Sequence, residues 1–147
     1  MATETMARLR TLYENYLALA EKLEQNKRAF AGFLGLVPGP GEDPGHDRFA
    51  QDLEQLLTGF SHAAPRPEEI RQVLDYVYAA PVEHPQPRSS YWMLLAVHGL
   101  TLELIGGLNA ADARELADWY EGAFPRRERV PVQNKVLKAL KAAGKAS

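Results

Sequence analysis

Four histidines are the residues of this chain best suited to proton transfer or metal binding near neutral pH: His46, His62, His84 and His98. His46-Asp47 forms the dipeptide used by metal-dependent His-Asp phosphohydrolases. That chemistry needs an upstream histidine and a further aspartate to hold metal and activate water, and no histidine precedes residue 46. The dipeptide is better read as the first turn of a helix. His98 is the stronger candidate, because it lies in the apolar run YWMLLAVHGLTLELI (91–105). On an α-helix, at about 100° per residue, His98 and Thr101 project to one side and Glu103 projects elsewhere. The three therefore do not make a metal pair at one-turn spacing. A buried imidazole needs a hydrogen-bond partner and disfavours its charged form. His98, Thr101 and Trp92 are the residues expected to line a pocket, if this chain has one.

Other catalytic patterns fail on spacing. Glu68-Glu69 resembles the paired acids of all-α nucleotide pyrophosphohydrolases, but only Asp75 follows, off their face. A P-loop, a dinucleotide glycine fingerprint, a nucleophile elbow and a His-Glu-x-x-His pair are absent from the sequence. There is no cysteine, which removes thiol chemistry, disulfides and Cys-ligated metals. No cofactor or metal is expected. The remaining candidates are surface charges: Glu83, His84 and Arg88 in one Pro-rich linker, and Arg126, Arg127 and Arg129 in another. An arginine-rich edge suits a carboxylate- or phosphate-bearing partner.

The elements that would position these residues are helical throughout. Met6, Leu9, Tyr13, Tyr16, Ala20 and Leu23 recur in steps of three and four, which predicts a helix from Thr3 to about Lys27. Residues 30–45 carry five glycines, three prolines and five large apolar residues, and predict a loop. Asp43-Pro44 starts a helix with Phe49, Leu53, Leu56, Leu57 and Phe60 inward. Pro67 starts the next, with Ile70, Val73, Leu74 and Val77 inward, and Pro81 is expected to end it. Ser89 or Ser90 is expected to cap a central helix over Tyr91–Ile105, buried nearly all round. Gly106-Gly107 stops it. Asn109 caps the following helix, with Asp112 three positions on, and Ala113, Leu116, Ala117, Trp119, Tyr120 and Phe124 inward. Pro131 starts the last, with Val132, Val136, Leu137, Leu140 and Ala143 inward. No β-type alternation persists. The fold class is all-α with about six helices in one domain spanning 1–147, including the 30–45 loop and a basic linker and helix over 125–147.

Residues 69–81 and 112–125 look alike. Arg71 matches Arg114, Val73 matches Leu116, Asp75 matches Asp118 and Tyr76 matches Trp119, and the prolines that follow keep nearly the same offset. A two-helix repeat of this length resembles, in construction only, a short HEAT-like stack of α-hairpins. The alternative is an irregular helical bundle.

Charge is unevenly distributed. Residues 125–147 hold seven basic side chains and one acid, a net of +6, while the rest of the chain holds 10 basic and 18 acidic groups, a net of −8. The basic segment could lie on its own acidic body, bind an acidic partner or touch phosphates. Nucleic acid is the weakest of these, because the segment has no aromatic residue for base stacking and the acidic body repels phosphate. The beginning of the chain has no apolar core of a signal peptide, and no apolar run is long enough to span a membrane. The sequence thus predicts a cytoplasmic, non-catalytic helical domain whose partner is another protein, with a homo-oligomer open. The alternative is a small-molecule binder or enzyme with a pocket at His98.

Overall fold

The computed structural model describes residues 2–34, 44–83 and 88–145. It is an all-α irregular bundle. The helices are α1 (Ala2–Leu34), α2 (Pro44–His62), α3 (Pro67–Glu83), α4 (Arg88–Ala96), α5 (Leu102–Ile105), α6 (Ala110–Ala123) and α7 (Pro131–Lys145). A 3₁₀ segment, Val97–Thr101, joins α4 to α5 in one rod, so the described residues form six rods.

The periodic apolar positions become the core. Leu9, Tyr13, Tyr16 and Ala20 of α1 are buried, together with Phe49, Leu53, Leu57 and Phe60 of α2. Tyr13 packs edge-on against Phe49 at 5.0 Å and against Tyr76 at 5.2 Å between ring centroids, which ties α1 to both α2 and α3. Helix α3 buries Ile70, Val73, Leu74, Val77 and Tyr78, and α7 buries Val136, Leu137 and Leu140. Helices α6 and α7 pack antiparallel: Arg114 donates to the Gly144 carbonyl at 2.7 Å, and Lys141 meets Glu121 at 3.1 Å.

Local signals behave as their chemistry demands. Pro44, Pro67 and Pro131 each open a helix, where a missing N–H costs nothing. The Asn109 side chain accepts from the Asp112 amide at 2.9 Å, capping α6.

Five expectations are corrected. Helix α1 continues to Leu34, into the segment expected to be loop, and residues 35–43 lie outside the described residues. Pro81 does not end α3; it is buried inside it. Helix α4 begins at Arg88, so Ser90 falls inside the helix, where its hydroxyl is buried without a partner and caps nothing. The rod over 91–105 is neither continuously α-helical nor wholly buried, since Trp92 and Leu102 are exposed. Trp119 is 40% exposed rather than inward. The two look-alike segments also diverge: Val73 and Leu116 are both buried, but Arg71 meets three acids while Arg114 reaches a carbonyl.

Candidate functional site

The 3₁₀ segment builds the central polar cluster. Side chains three residues apart eclipse one another in this winding, whereas on an α-helix they stand about 60° apart. His98 and Thr101 therefore stack, and both are fully buried. Close approach of α7 fits the local sequence. A Cβ at Gly99 would lie 2.7 Å from Cγ2 of Val132, so α7 occupies the space a larger residue would need.

The donor and acceptor roles of the hydroxyl groups in the cluster follow from their hydrogens. The Thr101 hydroxyl donates to the His98 carbonyl at 2.7 Å, so at 2.7 Å the Tyr78 hydroxyl must be the donor to Thr101 Oγ1. His98 Nδ1 meets the Tyr120 hydroxyl at 2.7 Å. Gln133 of α7, also fully buried, accepts the Val130 amide through Oε1 at 3.1 Å. The rings pack edge-on, with Tyr78 5.0 Å from His98 and 5.1 Å from Tyr120. Burial pushes the His98 imidazole down to about 3, and the Val77 carbonyl pulls weakly the other way. Burial likewise holds the Tyr78 and Tyr120 hydroxyls well above the usual phenol range, opposed by Thr101 in the first case and by Gln133 in the second.

Pro81 explains why that carbonyl is available. In an α-helix the residue four positions on donates to each carbonyl, and for Val77 that residue is Pro81, which has no N–H. His98 Nε2 falls short of a full hydrogen bond with any group, as does Gln133 Nε2.

Of the expected pocket residues, the structure brings His98 and Thr101 together and leaves Trp92 outside, 43% exposed. It adds Tyr78, Tyr120 and Gln133. Gln133 was readable as the one polar residue on the inward stripe of the last helix. Two clefts among the described residues lie away from the cluster: one of about 510 Å³ beside Arg8, Phe60 and Arg66, and one of about 600 Å³ beside Arg10, Asp75 and Tyr76. Neither is lined by His98.

The other histidines are placed apart. His46 Nδ1 is hydrogen-bonded to the Tyr16 hydroxyl, joining α2 to α1. His62 is exposed at the end of α2. His84 lies outside the described residues, so the expected Glu83, His84 and Arg88 cluster cannot be assembled from them. Among the described residues no three His, Asp or Glu side chains converge as metal ligands. No described helix is long and apolar enough to cross a membrane.

The three linker arginines separate into two kinds. Arg129 is a fastener: Nε donates to Asn134 Oδ1 and Nη1 to the Phe124 carbonyl, both at 2.9 Å. Arg126 and Arg127 are exposed on the turn Arg126–Glu128 and make no ion pair with a described residue. Trp119 stands beside this turn, its ring edge-on to Phe124 at 6.1 Å.

No protein-family model matches the chain, and neither a curated protein nor a solved structure is significantly similar to it.

Proposed function

We propose that this chain is a cytoplasmic, non-catalytic helical domain that binds another protein. The observation that carries the reading is the fate of its reactive side chains: the Tyr78, Thr101 and Tyr120 hydroxyls and His98 Nδ1 are hydrogen-bonded within one cluster, with His98 and Thr101 fully out of water. A general base must reach its substrate's proton, and a sealed imidazole does not. What faces solvent is chemistry suited to docking. Trp119 lies edge-on to Phe124, Arg126 and Arg127 are exposed on the turn that follows Phe124 in the chain, and Trp and Arg are the residue types that most often dominate binding energy at interfaces.

The test combines Trp119→Ala with Arg126→Glu and Arg127→Glu. Arg126 and Arg127 are exposed and Trp119 is 40% exposed, so the variant should stay folded, with a lowered midpoint from the lost Trp119 contact with Phe124 and an unchanged circular dichroism spectrum. A partner cross-linked to the native chain in its own cells should be lost in this variant and kept in His98→Gln. A substrate turned over by the purified chain, with turnover abolished by His98→Gln in a folded variant, overturns the reading.

A second reading, a ligand held at the cluster, is favoured by the Nε2 atoms of His98 and Gln133, which are buried and short of a full hydrogen bond. It requires a compound that raises the melting temperature of the native chain and fails to do so for His98→Ala.

A further inference from the structure

Helices α6 and α7 carry opposite charge on neighbouring exposed faces. Helix α6 holds four acids and one arginine, and Glu115, Asp118 and Glu121 of those acids are exposed. Helix α7 holds four lysines and no acid, and Lys135, Lys138, Lys141 and Lys145 are all exposed. Within the chain only Lys141 among these lysines forms an ion pair with a described residue, Glu121. Among the described residues, three of the four α7 lysines therefore lie outside any ion pair. The apolar stripe of α7 is buried, through Val136, Leu137 and Leu140, and its lysines point out.

We infer that this hairpin face is the contact for a second copy of the chain. A polyanion drawn to α7 is repelled by the acidic α6 alongside, so the fitting partner presents acid and base side by side in mirrored order. A second copy turned about a two-fold axis along the α6–α7 seam does this: each α6 lies over the partner's α7, and each contact occurs twice. The cross-links Arg114–Gly144 and Glu121–Lys141 set the register. They bring Asp118 level with the last turn of α7, opposite Lys141 and Lys145 of the partner subunit. Small residues are exposed on both helices, Ala111 and Gly122 on α6 and Ala142 on α7, and among the described residues a Cβ at Gly122 would meet nothing within 4 Å. A net charge of −2 leaves little overall repulsion between copies. The assembly is weak and salt-sensitive, since exposed ion pairs each contribute little. The inference stands on these two faces and does not depend on the partner edge at Trp119.

Sedimentation equilibrium of the purified full chain tests it. The mass is expected to rise with concentration toward that of two chains, with dissociation roughly tenfold easier at high than at low salt. Asp118→Lys and Lys145→Glu are each expected to leave a folded monomer, confirmed by an unchanged circular dichroism spectrum. Mixing the two variants, or combining both changes in one chain, restores the dimer. A wild-type chain that stays monomeric, a dimer indifferent to salt, charge reversals without effect, or a monomer whose lysine face takes up a short DNA duplex or a polyglutamate peptide overturns the inference.

Discussion

Pro81 and His98 are coupled through a single backbone atom, the carbonyl oxygen of Val77. The proline withholds the helical N–H that would have occupied this oxygen, and the imidazole of His98 takes the place beside it. With Nδ1 accepting from the Tyr120 hydroxyl, the ring proton belongs on Nε2. Imidazole nitrogen chemical shifts should therefore report a single neutral His98 with its proton on Nε2 at pH 7. A proton on Nδ1 would mean that the Tyr120 hydroxyl is the acceptor, contrary to this assignment.

Acid should unfold the chain through the same ring. His98 is held down to about 3 when folded, against 6.5 for the ordinary side chain. Between these values the unfolded chain takes up a proton that the folded chain refuses. Stability is untouched above pH 6.5 and falls as pH drops toward 3, by up to about 1.4 kcal/mol per unit from this group. Urea midpoints measured at pH 7 and pH 5 should show the loss in the native chain and a smaller loss in a folded His98→Gln variant. Equal losses would remove His98 from the explanation.

Gly99→Ala should destabilise by about 1–3 kcal/mol, because the new methyl meets Val132 Cγ2 well inside contact distance. Adding Val132→Ala should return part of the loss, since the two sites share one space. Denaturant midpoints of the four-member cycle measure this. Additive losses would show that Gly99 serves its 3₁₀ backbone rather than the approach of α7.

Asn109→Ala should cost about 1 kcal/mol, the usual worth of a side-chain cap, and Asn109→Asp should cost less because aspartate accepts the same Asp112 amide. Thermal unfolding of both variants decides it. Equal losses would argue against the cap as the source.

What was legible in the sequence follows the range over which each cause acts. Asn109, Pro67 and Pro131 were readable because a cap or a helix start is settled within one turn. The buried stripes of α1, α2 and α7 were readable because periodicity alone chooses the inward face. Pro81 was misread because its usual effect assumes a carbonyl left in need, and here His98, 17 positions away, stands beside that carbonyl. Trp119 and Trp92 were misread because large apolar side chains at helical spacing look inward whether or not a neighbouring helix covers them. The His98–Thr101 pairing was anticipated on the wrong geometry. Its eclipsed stacking arises from 3₁₀ winding, which no local motif announced. Tyr78 and Tyr120 join the cluster only through tertiary packing.

That winding also resets the phase of everything after it. Each 3₁₀ residue turns about 20° further and climbs about 0.5 Å more than its α counterpart, so Val97–Thr101 accumulates a swing of roughly 100° and an extension of roughly 2.5 Å. Leu104 and Ile105 face the interior, and Leu102 the water, at the end of that swing. Relaxing these five residues into an ordinary α-helix would rotate the hydrophobic lettering of α5 by more than a quarter-turn and pull the Gly106-Gly107 corner back toward α4. The short tight coil thus works as a mechanical indexer, dictating which edge of the rod's last turn is dry.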